Sequence, residues 1–318
     1  MKKKFFIFIF AAIFLATIFC GGCQQSNNSS ENTYPEINWP ALGSANHSDV
    51  KKEVNENFKI DSSDVKVNVY KVIKPDIDRI ISDLNKKIQP INEWTYEDDR
   101  VYYADENQLI EVDTNTGYWF FQSRKEYTSL YNSTTPAKIS SEQAINIAKK
   151  VAEEYNVDLQ LFSDIQVGNI EYTPAQSIES SEESSIIIGY DIYFYPIIDG
   201  KNVWGVSRFN VTIDGNGNFV SVSKRFPELS FYSVENTISP DVALNQVIEN
   251  KGHLTTDTPS EADSAIIDEY KIVYYIDVES LDSDYFCQPV YAFKGHYLSE
   301  SGQQLNDSSF TALTPAIK

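Results

Sequence analysis

The sequence predicts an α+β protein built of tandem small modules, each a helix packed on an antiparallel sheet. Three observations carry that expectation. Two helix openings share one pattern, Ile139-Ser140-Ser141-Glu142-Gln143-Ala144 and Ile238-Ser239-Pro240-Asp241-Val242-Ala243. Strand-like segments follow each opening. Asp214-Gly215-Asn216-Gly217-Asn218 separates two alternating apolar runs, Phe209–Ile213 and Phe219–Val222, which is a strong hairpin signal. Repetition of a whole unit weighs more than either unit alone.

Each element has a local reason. Asp49 to Phe58 reads as a short helix. Val65 to Tyr70 alternates and reads as a strand. Pro75 suits the first turn of a helix whose Ile77, Ile80, Ile81, Leu84 and Ile88 share one face. Strands at Arg100–Ala104 and Gln108–Asp113 flank a turn at Asp105-Glu106-Asn107, and Thr114 to Gly117 turns into Tyr118-Trp119-Phe120-Phe121. Ser140 and Gln143 form a capping box, and Ala144, Ala148, Val151 and Tyr155 continue the buried stripe. Strands are expected at Ile165–Tyr172, Ile186–Tyr195 and Val203–Ile213, with an acidic, serine-rich loop at Gln176–Ser185. Ser239 caps the second repeated helix, Pro240 opens it, Leu244, Val247 and Ile248 extend its stripe, and Gly252 ends it. Strands follow at Glu269–Val278 and Pro289–Leu298.

Composition narrows the partners. The chain of 318 residues carries a net charge of −20, with 20 Tyr and 18 Phe to fill its cores. Such a surface repels nucleic acid and anionic headgroups and favours a basic protein, peptide or cation. Of the 3 cysteines, Cys287 alone lies outside the first 23 residues, so it reads as a small buried hydrophobe.

Lys2, Lys3 and Lys4 precede an apolar run, Phe5 to Phe19, and polarity rises after Cys20-Gly21-Gly22-Cys23. That order is an export signal, and its apolar run is shorter than the roughly 20 residues of a membrane span. Gly21-Gly22-Cys23 resembles the lipobox of bacterial lipoproteins, which implies cleavage before Cys23 and acylation of its thiol. Gly21 and Gly22 suit the peptidase, whereas Phe19 before Cys20 does not. The alternative is a plain secretory signal or an uncleaved anchor. The expected division is a signal peptide over 1–22, a flexible tether over 23–50, an N-terminal α+β module over 51–135, a second module over 136–235 and a third over 236–318.

The stretch Ile139 to Phe226 joins the Ile-Ser helix opening to a hairpin at Val211-Thr212-Ile213-Asp214-Gly215-Asn216-Gly217-Asn218-Phe219-Val220, and so resembles the PepSY domain in the tandem arrangement of YpeB-like proteins. Ile238 to Leu298 shares the helix opening. Gln288 to Gly295 is similar to the last strand of YycI- and YycH-type regulators of a wall sensor kinase. The resemblance implies an extracytoplasmic module that regulates peptidases or sensors, and it supplies no catalytic residues.

The chemistry-bearing residues are scattered. The Asp214–Asn218 turn has calcium-like oxygen spacing, but the sixth and twelfth places hold Phe219 and Arg225, so it reads as a hairpin turn. His47, His253 and His296 lack metal-site spacing. Glu179–Glu183 and Asp277–Asp284 read as solvated acidic loops, and Tyr270, Tyr274, Tyr275, Tyr291 and Tyr297 read as half-buried sheet residues before they read as a peptide groove. The expectation is a protein without catalytic residues, cofactor or metal, held on the extracytoplasmic face of the membrane by Cys23, that binds an envelope protein or peptide. A wall hydrolase or protease, or a purely structural lipoprotein, is the alternative.

Overall fold

The computed structural model describes residues 34–37, 39, 50–61, 65–88, 93–162, 164–173, 185–276 and 285–318. Strands dominate, with 47% of the described residues against 19% in helices, and they form two large sheets. This overturns the expected α+β chain of separate helix-on-sheet modules: the fold is predominantly β. The physical reason is pairing between strands distant in sequence, which no local pattern announces.

In chain order the elements begin with β1 (Lys51–Val54), β2 (Lys66–Val72), α1 (Ile77–Ile88), β3 (Thr95–Tyr96), β4 (Arg100–Ala104), β5 (Gln108–Asp113) and β6 (Trp119–Ser123). Next come α2 (Arg124–Tyr131), α3 (Ser141–Glu154), β7 (Asp164–Tyr172), β8 (Ile186–Tyr195), β9 (Ile197–Ile198), β10 (Lys201–Gly205), β11 (Arg208–Asp214), β12 (Phe219–Arg225) and β13 (Leu229–Asn236). The helix Pro240–Ile248 is α4, followed by β14 (His253–Leu254), β15 (Ser264–Ile276), β16 (Phe286–Leu298) and β17 (Gln304–Pro315).

The eight-stranded sheet runs β3-β4-β5-β6-β12-β11-β8-β7 and is antiparallel throughout. The nine-stranded sheet runs β13-β2-β16-β15-β10-β9, with β1 added to β15, and β17 linking β16 to β14. Its strands come from both ends of the chain: β1 pairs in parallel with β15, and β2 lies between β13 and β16. The stretch expected to be a helix near Asp49–Phe58 is in part β1, because its partner is supplied by residues 264–267.

The two repeated helices form where capping predicts them, whereas α2 is unexpected and its Ser123 makes no side-chain cap bond. The Ser140 hydroxyl accepts from Gln143 N–H at 3.2 Å, and the Gln143 side chain accepts from Ser140 N–H at 2.9 Å. Ser239 accepts from Asp241 N–H at 3.3 Å, with Pro240 at the first position of α4. Ala144, Ala148 and Val151 of α3 are buried in one core with Ile192, Phe194, Phe209 and Ile213. Ala243, Leu244 and Val247 of α4 are buried in another with Tyr291, Phe293, Tyr297 and Phe310. Each fully buried aromatic contributes about 1.5–3 kcal/mol of transfer free energy, so these cores outweigh helix propensity.

The run Val203–Ile213, expected to be one strand, is two strands in different sheets. β10 pairs in parallel with β15, whereas β11 lies between β8 and β12. The chain changes sheets just after Gly205, whose φ is +107° and where an added Cβ would come 2.0 Å from the Ile276 carbonyl oxygen. Only glycine fits that close approach.

Candidate ligand-binding cleft

The β9–β10 hairpin builds one wall of a cleft. Its turn is Asp199-Gly200, with φ of 51° and 70°, the left-handed pair that a two-residue hairpin needs. The Asp199 carboxylate accepts the hydroxyl of Tyr274 at 2.7 Å, the hydroxyl of Tyr70 at 2.9 Å and the Asn68 amide at 2.8 Å. Burial works against its charge, but these donors outweigh burial and hold the carboxyl below its ordinary value. The hairpin is thereby fastened to β2 and β15. Further along it, the Asn202 amide donates to Asp164 at 3.1 Å and ties β10 to β7 of the other sheet.

Between these braces lies a cavity of about 560 Å³, within the range of small-ligand sites. Its apolar floor includes Val203, Tyr275 and Leu313, all buried. Trp204 and Tyr195 add aromatic surface, Asn202 and Gln166 add amides, and Thr255 adds a hydroxyl. Charge comes from Lys271, Lys294 and Asp164, with His253 beside them. The Lys271 ammonium stands 5.7 Å from the Trp204 ring centroid. Trp39 stacks on His253 of this lining with ring centroids 5.0 Å apart and leans on Tyr275 at 4.8 Å.

Other sequence-singled residues have different places. Cys23, His47 and the acidic runs Glu179–Glu183 and Asp277–Asp284 lie outside the described residues. Asp214 is buried and spends its carboxylate on the turn, accepting from Asn216 N–H at 2.9 Å and Asn218 N–H at 2.7 Å. Of the five tyrosines weighed for a groove, Tyr275 lines the cleft, while Tyr291 and Tyr297 are buried in the α4 core. Cys287 is buried, and burial, with the Asp199 charge adding, pushes its thiol up. No group of three or more His, Cys, Asp or Glu suited to a metal occurs among the described residues. Among those same residues no helix is long and apolar enough to cross a membrane.

A second polar set lies on the sheet face that also bears Lys294. His296 Nδ1 is 2.6 Å from Asp268 Oδ2, the Asn55 amide donates to the other Asp268 oxygen at 2.9 Å, and Ser309 stands opposite His296 across the β16–β17 pair. None of these residues lines the cleft.

No protein-family model matches the chain, and no curated protein matches it. An uncharacterized protein from Eubacterium rectale ATCC 33656, solved as a crystal structure, is similar over 83% of this chain and 89% of its own, with 12% identity and a TM-score of 0.41.

Sequence reasoning missed the cleft. The Asp199-Gly200 dipeptide was a usable hairpin signal. The grouping of Lys271, Lys294 and Trp204 had none, because it exists only once β10, β15 and β16 are in register.

Proposed function

We propose that the chain is a lipid-anchored extracytoplasmic binding protein that regulates an envelope protein or peptide. The observation that carries this reading is the braced cleft, in which aromatic, amide and cationic groups converge on a space the size of a ligand. The Gly21-Gly22-Cys23 boundary supports the address, and the resemblance of Ile139–Phe226 to PepSY modules supports a regulatory role. β7 lies beside the cleft and, among the described residues, pairs on one side only, which suits an extended peptide. The test places a photo-crosslinking residue at Gln166, and separately at Gln143 on α3, in native membranes. A discrete adduct from position 166 alone supports the reading. Identical adducts from both positions overturn it.

A second reading, hydrolysis, is favoured by the Ser309, His296 and Asp268 row. Asp268 holds one ring nitrogen, which leaves the other for a neighbouring hydroxyl. Against it, the row is on an open sheet face, and its backbone donors are committed to the β16–β17 ladder rather than to an oxyanion. Turnover of casein or peptidoglycan that disappears in Ser309→Ala would establish it.

A further inference from the structure

We infer that the cleft takes an acidic peptide and holds an Asp or Glu carboxylate between Lys271 and Lys294, an inference that rests on the proposed function above.

The register fixes the geometry. Lys271 pairs with Ala292 and Glu269 pairs with Lys294, so both lysines leave the same face of the sheet one diagonal step apart. Diagonal neighbours are separated by about 7–8 Å at the backbone, within reach of long side chains. Two long side chains so spaced can reach one anion from either side.

Neither lysine is needed to satisfy the fold. Lys294 reaches Glu269 at 3.5 Å, but the two side chains are 43% and 67% exposed, so that pair is worth little. Lys271 rests over Trp204 and forms no ion pair among the described residues. Asp164, the acid of the same lining, already accepts from Asn202.

The lining sets Lys271 and Lys294 against Asp164, with Glu269 beside Lys294 outside it, so the lining's small positive excess is opposite in sign to the chain's −20. The long-range field does not draw an acidic partner in, so recognition resides in the cleft itself. A carboxylate is the complementary charge, and the floor of Val203, Tyr275 and Leu313 receives the apolar side chain next to it. This reverses the basic partner that net charge alone suggested.

The test is selection of a random heptapeptide display library on the full chain in detergent, in parallel on Lys271→Gln/Lys294→Gln and on Lys251→Gln, a surface control. Asp and Glu should be enriched in peptides selected on the wild type and on the control, and not on the double variant. A synthetic peptide from the enriched pool should bind each single variant roughly fivefold to tenfold more weakly. Its Glu→Gln counterpart should lose affinity for the wild type and not for the double variant. A pool rich in Lys and Arg, or the same acidic enrichment on the double variant, overturns the carboxylate assignment and leaves the cleft reading standing. An empty pool overturns both. Equal or tighter binding of an oligogalacturonate than of the selected peptide overturns the choice of a peptide.

Discussion

The Tyr291 hydroxyl donates to the Ile238 carbonyl at 2.8 Å, pinning the start of α4 to the middle of β16. Tyr190 does the same for Ile139 at 3.0 Å, pinning the start of α3 to β8. The correspondence extends to the backbone: Ile238 N–H donates to Ala316 at 2.8 Å, and Ile139 N–H to Gly215 at 3.3 Å. The repeated Ile-Ser opening thus marks a repeated corner, in which a tyrosine from the sheet secures the residue just before a helix cap.

Tyr291→Phe and Tyr190→Phe should each cost about 1 kcal/mol, since each leaves a carbonyl short of its donor. The two corners belong to different cores, so the double variant should lose about the sum. Urea denaturation at neutral pH measures both, and a marked departure from additivity would show that the corners communicate.

Gly205→Ala should be among the most damaging single changes in the chain. The new methyl group would meet the Ile276 carbonyl in a left-handed backbone, and the β10–β15 pairing must give way. A loss of more than about 3 kcal/mol, or failure to accumulate, is expected. Gly200→Ala, with φ of +70° and open space around it, should cost only about 1 kcal/mol. Comparing the two by denaturation separates steric conflict from backbone preference.

Acid should loosen the cleft wall. The folded Asp199 carboxyl lies below its ordinary value, so its stabilising share is intact above about pH 4, where the unfolded carboxyl is ionised. That share is lost as pH falls through the folded value. Asp199 is exposed, and the effect should stay under about 1 kcal/mol. Urea midpoints of the wild type and Asp199→Asn should differ at pH 6 and converge towards pH 3. A difference that grows on acidification would contradict the assignment.

Cys287 should resist alkylation in the native protein and react at once in denaturant, because its thiol is buried and pushed up by that burial. Rapid native labelling by iodoacetamide would mean that the strand around it opens readily.

Cys23→Ala should release the chain from membranes or leave it uncleaved. A variant cleaved at the same boundary and still membrane-bound would show that another group anchors it.

Much of the fold was legible where pattern is local. The strands Arg100–Ala104, Gln108–Asp113 and Ile186–Tyr195 carry their own alternation and turn residues, and the caps at Ser140 and Ser239 announce their helices. The sequence reading places no strand at Leu229–Asn236 or Gln304–Pro315. The first exposes Phe231, Tyr232 and Val234, so no buried face marks it. The dominance of sheet was hidden because β1 and β2 find partners near the other end of the chain and β10 pairs with β15 across the intervening β11 to β14. The candidate site was hidden for the same reason. Trp204 looks like one residue of a long strand until Gly205 turns the chain away, and Lys271 and Lys294 become neighbours only through β-pairing.

The interleaving of early and late strands bears on how the chain acquires its shape during synthesis. β1 and β2 emerge first, yet the strands they pair with begin at Leu229, Ser264 and Phe286. The nine-stranded sheet therefore cannot assemble vectorially from its N-terminal side; its early strands wait for partners translated long after them. Such a delay leaves the edges of β1 and β2 unpaired until the later strands exist. It also makes final closure a slow step dominated by distant contacts.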